Sequence, residues 1–386
     1  MRKEVYLDNA ATTRALPGVV EAVSQALLAA YGNPSSLHRK GMEAEAILKG
    51  TRGLLAELMA VTPAEIVFTS GGTEANALAI KGVAWARKKR GTHLVTTAIE
   101  HSSVHAAMRD LEAEGFSVTY LPVDGEGRVN PDHVGEAVSE RTTLVSVMLV
   151  NNEIGTIQPV RAIAEAARAK KRDVVVHVDA VQALGTLPVR PRELGADLVS
   201  VSGHKIHGPK GVGALYVRKG LQIQTLFGRG SQEGGLRPGT ENVPGIAGLG
   251  VALRELTGDA GAPARLRVLR ERLVDELLAI DGARLNGARG EAAAPHIVNL
   301  SFPGVRGEVL VHALEDRGVF VSTGSACTSR KAEPSHVLKA LGLSEEVLES
   351  SIRISLSRST TEEEVVYAIS MIKEAVSALR TMLARR

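Results

Sequence analysis

Short apolar, β-branched runs alternate with amphipathic segments through most of the first 256 residues. Six of these runs have the length of strands, and several are apolar on both faces; they cover residues 66–69, 93–99, 117–121, 144–150, 174–178 and 198–201. Amphipathic helical segments lie between them, at residues 74–90, 102–114 and 161–171. Strands that are buried on both faces and joined through helices are typical of a parallel sheet. The pattern predicts an α/β fold in which helices cover a mostly parallel sheet.

The pattern changes after residue 264, where helices and short strands no longer alternate regularly. It predicts helices at 265–280 and 307–317, strands at 297–302, 319–322 and 352–356, and a long helix from residue 360. This is a smaller α+β unit, and the Gly/Ala/Pro-rich stretch 257–264 before it is a plausible hinge. We expect a large domain at residues 15–256 and a small domain formed by residues 1–14 and 257–386.

Charge and composition exclude several classes of protein. A net charge of +3 and an aromatic content of 3% argue against nucleic-acid binding, which needs a basic surface and stacking platforms. The longest apolar runs, such as 144–150, are strand-sized, and residues 1–13 lack the apolar region of a signal peptide. The single cysteine, Cys327, excludes an intrachain disulfide. We expect a cytoplasmic protein that binds neither nucleic acid nor membrane.

Polar clusters follow five of the expected strands. They lie at residues 70–74, 100–103, 151–153, 178–182 and 202–205. Ligands of an open α/β sheet bind at the carboxyl ends of its strands, where such loops meet. The sequence therefore predicts one site built from these five loops.

Two of these clusters carry residues suited to an aldehyde cofactor. Lys205 comes just after a buried strand, where its amine could form a Schiff base, although a surface loop lysine is the commoner explanation. Asp179 ends an apolar strand, and a carboxylate there needs a cation such as the pyridinium nitrogen of pyridoxal phosphate, or a helix N-terminus to cap. Gln182 could reach the same crevice.

Residues 70–74 and His101 each have two interpretations. The sequence SGGTE links a strand to a helix, so its N–H groups and the Thr73 hydroxyl could hold a phosphate or simply cap the helix. His101 could stack on a flat ring and exchange protons, or cap the following helix. Two histidine pairs have spacings that could bind a metal, but each lacks a third ligand, so we expect no metal site; the pairs are His101 with His105 and His204 with His207.

The smaller unit contributes two further candidates. Cys327 lies in the polar, small-residue stretch 322–331, where Arg330 and Lys331 would favour the nucleophilic thiolate, although an incidental exposed cysteine fits equally well. Arg353 alternates with isoleucines in a short strand, which suits a bidentate hold on a substrate carboxylate, while a solvent-facing arginine is the commoner case.

Taken together and in this order, the motifs resemble those of the cysteine desulfurases, pyridoxal-phosphate enzymes of the class V aminotransferase group. The resemblance covers nearly the whole chain and is closest to the NifS/IscS type. It rests on LDNAATT from Leu7, HVDAVQ around Asp179, SGHKIHGPKG around Lys205, RPGTEN around Thr240, STGSACTS around Cys327 and RISLSR from Arg353.

The resemblance implies a fold and a set of roles. The fold is that of the pyridoxal-phosphate-dependent transferases of fold type I, with a mostly parallel seven-stranded sheet in the large domain. Lys205 would bind pyridoxal 5′-phosphate covalently, Asp179 would pair with the pyridinium nitrogen and His101 would stack on the ring. The phosphate would be held by Gly72, Thr73, Ser202 and His204, and by Thr240 from the other subunit of a homodimer, while Gln182 and Asn152 would contact the ring hydroxyl and the substrate.

The same resemblance implies a reaction. Arg353 would hold the carboxylate of L-cysteine, Lys205 would act as base and His101 as a proton donor or acceptor. The Cys327 thiolate would attack the substrate sulfur, leaving L-alanine and a Cys327 persulfide. The sulfur would pass to an acceptor such as an iron–sulfur scaffold protein. Transamination, selenocysteine lysis and a non-catalytic binding protein on the same fold are the alternatives.

Overall fold

The computed structural model describes residues 3–228, 230–323 and 335–384. The strands are β1 (Val5–Tyr6), β2 (Ile66–Thr69), β3 (His93–Thr97), β4 (Ser117–Leu121), β5 (Thr142–Met148), β6 (Val175–Asp179), β7 (Leu198–Ser202), β8 (Gly213–Val217), β9 (Arg284–Asn286), β10 (Ile297–Ser301), β11 (Val319–Phe320) and β12 (Ser351–Ser355). The helices are α1 (Pro17–Leu28), α2 (Arg39–Leu58), α3 (Gly72–Arg87), α4 (Ser102–Ala113), α5 (Pro131–Ala137), α6 (Val160–Lys170), α7 (Pro191–Leu194), α8 (Val243–Gly258), α9 (Ala262–Leu278), α10 (Gly307–Glu315), α11 (His336–Ala340), α12 (Glu345–Glu349) and α13 (Glu362–Ala384).

A seven-stranded sheet in the order β2-β8-β7-β6-β5-β3-β4 forms the centre of the larger unit. Strand β8 runs antiparallel to both of its neighbours, and the other strands are parallel. This confirms the expected α/β fold with a mostly parallel sheet. The six strands expected from the sequence are all present, within a few residues of their expected ends, whereas β8 was not among them.

Helices cover both faces of this sheet because its strands are apolar on both faces. Leu144 of β5 packs in one apolar cluster with helices α3 and α4, and the next residue, Val145, packs in another cluster with α6. Helix α6 buries Val160, Ile163, Ala164 and Ala167, which share one face at helical spacing. No helix of the described ranges is both long and apolar enough to cross a membrane.

A second apolar cluster lies around the three-stranded antiparallel sheet β12-β10-β9. Helices α9, α10 and α13 contribute to it, and so do Val5 and Leu7 from the start of the chain. Strand β1 pairs in parallel with β11, so the first strand packs against the late part of the chain. Stretch 257–264 covers the end of α8, the break at residues 259–261 and the start of α9. The domain boundaries and the hinge stay predictions.

Two glycines allow β8 to approach the loop between β2 and α3. Gly71 has φ +153°, a conformation that side chains disfavour. A Cβ on Gly213, at the start of β8, would lie 2.7 Å from the Gly71 Cα atom and 2.7 Å from the Val201 carbonyl oxygen. Both obstacles are backbone atoms, so a side chain at Gly213 would force the strand away from the loop.

We expect Gly213→Ala to lower the free energy of unfolding by about 1–3 kcal/mol, the usual effect of overpacking. Gly50→Ala is the matched control, because Gly50 lies inside α2 with nothing within 4 Å of its added Cβ. That control should raise stability by about 0.5–1 kcal/mol through helix propensity. Thermal denaturation of both variants checks this, and a Gly213→Ala protein as stable as the wild type would contradict the close approach.

Candidate active site

A cavity of about 350 Å³ opens at the carboxyl ends of the parallel strands. Each of the five polar loops expected from the sequence contributes to its wall, and so do residues 10, 11 and 353 from outside the sheet. Ten of the expected site residues line it: Gly72, Thr73, His101, Asn152, Asp179, Gln182, Ser202, His204, Lys205 and Arg353. The structure therefore brings these residues together, while their individual roles stay predictions.

Lys205 reaches the cavity because the chain turns into a short 3₁₀ helix, Gly203–Lys205, directly after β7. Its half-buried Nζ atom donates a hydrogen bond to the carbonyl oxygen of Ala11 at 2.8 Å and another to that of Ala10. The Gln182 side chain also donates to the Ala10 carbonyl, at 2.9 Å. Residues 10 and 11 thus position the amine over the end of the sheet.

Asp179, the last residue of β6, is only 5% exposed. Its Oδ1 atom accepts a hydrogen bond from the Val181 N–H at 2.9 Å, and Oδ2 accepts one from Asn76 Nδ2 at 2.7 Å. The first contact closes the turn that follows β6; the next helix, α7, begins only at Pro191, so Asp179 does not cap a helix. The second fixes the carboxylate in the cavity wall, where it can meet a cationic ring nitrogen.

Asn76 is a site residue that sequence reasoning missed. It is buried in α3 and donates to Ser103 Oγ at 3.0 Å as well as to Asp179. Its Oδ1 atom has no hydrogen-bond partner among the described residues. The available signal was a polar side chain inside the otherwise apolar stretch ANALAI.

The first turn of α3 and the end of β7 form a cradle for an anion. Helix α3 begins at Gly72, so its first N–H groups lack partners within the helix. The Ser202 hydroxyl is buried beside this turn and has no hydrogen-bond partner in the part of the chain that the structure describes. A buried donor without a partner next to a helix N-terminus suits a phosphate group. The residues present therefore fit the phosphate of the expected cofactor.

The two histidines of the cavity are held in their neutral forms. His101 caps α4, with Nδ1 accepting from the Ser103 N–H at 3.2 Å, and burial lowers its pKa despite the nearby Asp179. His204 contacts Thr12 Oγ1 at 3.1 Å, and burial followed by the charge of Lys205 lowers its pKa to about 4. A neutral imidazole can accept a proton or stack on a ring.

Arg353 is almost fully buried in β12 and points into the same cavity. Its Nη2 atom pairs with Asp8 Oδ1 at 2.7 Å, and Nη1 donates to the Asn152 carbonyl oxygen at 3.0 Å. Its Nε–H has no partner among the described residues. The guanidinium is therefore fixed in orientation by two of its five N–H donors. Asp8 lies in the LDNAATT motif, but its pairing with Arg353 was not expected.

Of the two remaining expected residues, only Thr240 belongs to the described part of the chain, and it does not line this cavity. Thr240 is exposed, between the loop that follows β8 and helix α8. Cys327 lies outside the described residues. The described chain on either side of its segment is attached near the cavity: Ser322 pairs with Arg353 through backbone hydrogen bonds, and Ser335 Oγ donates to Glu153 Oε2 at 2.5 Å. In the described ranges, no group of three or more acidic, histidine or cysteine side chains could hold a metal ion.

The chain is similar to known proteins over nearly its whole length. The family model of the class V aminotransferases matches residues 5–367. A curated relative, cysteine desulfurase IscS of Methanosarcina thermophila, is 45% identical over 381 residues, which cover 98% of this chain and 94% of that protein. A solved structure described as a NifS-like protein has a TM-score of 0.91 and 40% identity, covering 98% of this chain and all of the other. Another, described as SspA in complex with cysteine, has a TM-score of 0.82 and 36% identity, covering 92% of this chain and 100% of that one.

Glu100 is a buried acid directly before His101. Burial raises its pKa to about 8, although Thr97 Oγ1 and the Met148 N–H donate hydrogen bonds to it. An unfolded glutamate loses its proton near pH 4.3, so between about pH 4.3 and 8 the folded state binds the proton more tightly. The contribution of Glu100 to stability is present below this window and is lost as the pH rises through it.

We expect Glu100→Gln, which mimics the protonated side chain, to become more stable relative to the wild type as the pH rises from about 5 to about 8. Chemical denaturation at several pH values measures the difference. Glu136→Gln, at an exposed position of α5, serves as the control and should show no such trend. A difference between Glu100→Gln and wild type that is constant with pH would contradict a protonated Glu100.

Proposed function

Because this chain belongs to the class V aminotransferase family and, within it, to the cysteine desulfurases, we propose that it removes sulfur from L-cysteine with the help of pyridoxal 5′-phosphate. The products are L-alanine and a persulfide on Cys327. The observation that carries this proposal is the cavity that combines the Lys205 amine, the Asp179 carboxylate and the unpaired Ser202 hydroxyl. These groups are complementary to the aldehyde, the ring nitrogen and the phosphate of that cofactor.

The residues that would hold the cofactor follow from this complementarity. Lys205 would form the covalent link, Asp179 would accept the ring N–H, and His101 would stack on the ring. The phosphate would bind the first turn of α3 together with Ser202. Besides Lys205, Asp179 and His101, the proposed cofactor contacts are Gly72, Thr73, Asn152, Gln182, Ser202, His204 and, from a second subunit, Thr240. When bound, the cofactor withdraws electrons from the substrate α-carbon.

The protein's own groups would bind the substrate and move its protons. The Arg353 guanidinium is suited to the cysteine carboxylate, because it lines the cavity and Asp8 and the Asn152 carbonyl already fix its orientation. Lys205 Nζ would take the proton from the α-carbon. Since Nδ1 of His101 is engaged by Ser103, Nε2 is the nitrogen left to exchange a proton.

Cys327 would perform the sulfur transfer. Its thiolate sulfur forms a bond to the substrate sulfur while the bond from that sulfur to the substrate β-carbon breaks, and protonation of the carbon skeleton completes L-alanine. The reaction balances as L-cysteine plus thiol giving L-alanine plus persulfide, with no external oxidant. We propose that the persulfide sulfur then passes to an acceptor such as an iron–sulfur scaffold protein, that the enzyme is a homodimer and that it works in the cytoplasm.

We expect a visible absorbance band in the purified protein that shifts when L-cysteine is added, with alanine formed and sulfide released under a thiol reductant. Cys327→Ala should keep the band and its shift but lose sulfide release, because the cofactor site remains while the nucleophile is gone. Desulfuration that survives in Cys327→Ala would contradict the sulfur step. A protein that stays colourless after incubation with pyridoxal phosphate would contradict the cofactor site.

Ser202→Ala tests the phosphate cradle separately. Its hydroxyl has no partner in the cofactor-free cavity, so its removal should leave the stability of the cofactor-free protein unchanged or raised. The affinity for pyridoxal phosphate should fall by roughly fivefold to tenfold, the effect of one lost hydrogen bond. Ser200→Ala is the control, because Ser200 Oγ contacts His177 at 2.9 Å and its removal should destabilise the protein without the cofactor. Unchanged cofactor affinity in Ser202→Ala would contradict the cradle.

A further inference from the structure

A second cavity, of about 570 Å³, lies at the opposite end of the central sheet, where the parallel strands β6 and β7 begin. It is bordered by the residues just before β6 and β7, the residues just after β8, and the last turns of α3 and α6. The strands between the two cavities have five residues, so the two ends of the sheet are roughly 16 Å apart. The proposed function uses none of its residues. We call it the basic cavity, lined by Glu65, Arg87, Arg168, Arg172, Asp173, Arg192, Asp197, Arg218 and Lys219 among others.

Positive charge dominates the basic cavity. Five arginines and one lysine line it against three carboxylates, a surplus of three positive charges. The carboxyl ends of helices α3 and α6 lie at this end of the sheet, and each contributes about half a negative charge. A surplus of about two charges remains.

The carboxylates in the basic cavity are already engaged. Asp197 is buried and accepts from Arg168 Nη2 at 2.8 Å, from Arg218 Nε at 2.6 Å and from the Val176 N–H at 2.9 Å. Glu65 is also buried, and its oxygens accept from the backbone N–H groups of Thr62 and Lys219 and from the Thr62 hydroxyl. Asp197 and Glu65 therefore cannot turn to neutralise the remaining cations. The third carboxylate, Asp173, is exposed and pairs with Arg87 at 3.6 Å and with Arg90 at 3.3 Å.

Three cations remain available at the mouth of the basic cavity. The side chains of Arg172 and Lys219 are exposed and make no hydrogen bond or ion pair within the described parts of the chain. Arg192 is exposed too, and it makes a long ion pair with Glu65, with 3.7 Å between Nη2 and Oε2 and no hydrogen bond. Like charges gathered around one concave surface lower its affinity for cations and raise its affinity for anions.

We propose that the basic cavity binds a small phosphate-bearing polyanion through its di- or triphosphate group. The guanidinium fork matches phosphate oxygens in pairs, which a lysine ammonium does not, and arginine supplies five of the six cations here. The volume lies within the range of small-molecule sites. Nine of the lining residues are charged, and the uncharged ones are Val174, Gly195, Ala196 and Tyr216, so recognition falls mainly on the charged oxygens of the ligand.

Calorimetric titration of the cofactor-loaded protein with inorganic tripolyphosphate tests this proposal. We expect one binding site per chain, with an affinity that falls as salt is added. Arg172→Glu should weaken binding by at least about tenfold, since it removes a free cation from the mouth. Arg284→Glu makes the same charge change at an exposed position of β9, away from the cavity, and should leave binding within about twofold of the wild type.

The phosphate cradle of the active site is the competing location for the probe. Ser202 belongs to that cradle, so Ser202→Ala should leave tripolyphosphate binding unaffected if the basic cavity is the site. Absence of binding to the wild type, equal weakening by Arg172→Glu and Arg284→Glu, or weakening by Ser202→Ala alone would each overturn the proposal. Because Arg172 is exposed and makes no contacts that folding needs, far-ultraviolet circular dichroism of its variant should match that of the wild type.

Discussion

The hydrogen bonds between Lys205 and the carbonyl oxygens of Ala10 and Ala11 are the contacts on which the site depends. They join the short segment after β1 to the end of β7 in the central sheet. Two residues earlier, Asp8 pairs with Arg353 of β12. One short piece of backbone thus fixes both the amine from the sheet and the guanidinium from the smaller unit. The cavity exists because this segment passes from the apolar cluster of the smaller sheet to the end of the central sheet.

The cavity also concentrates polar atoms that folding leaves without partners. Ser202 Oγ, Arg353 Nε and Asn76 Oδ1 are all buried without a hydrogen-bond partner among the described residues, and all three residues line the same cavity. An unpaired buried polar group costs roughly 1–3 kcal/mol, so a fold would not retain three of them together without a gain elsewhere. The gain is a wall already shaped for a polar ligand. A site organised in this way binds without rearranging its donors.

Much of this architecture could be read from the chain. Two-sided apolar runs predicted the parallel sheet, and the polar residues after them predicted where the site lies. Strand β8 was missed although its partner β7 is the preceding strand in the chain, because a short apolar run does not by itself distinguish a strand from a buried helical segment. Asn76 and the pairing of Asp8 with Arg353 were missed for a different reason, since hydrogen bonds across 103 and 345 residues follow only from the assembled fold. The basic cavity has no sequence motif, because its arginines come from separate helix and strand ends.

The pairing of Asp8 with Arg353 has a consequence for how the protein is made. During synthesis the amino-terminal segment leaves the ribosome early, and its partner strand β12 follows only after more than 340 further residues. Contacts of such long sequence separation form late. The larger sheet can fold around its own apolar clusters while the chain is still growing. The part of the cavity wall that contains Arg353 forms only after nearly the whole chain has been synthesised. A chain that is truncated or stalled before β12 would therefore carry Lys205 without Arg353.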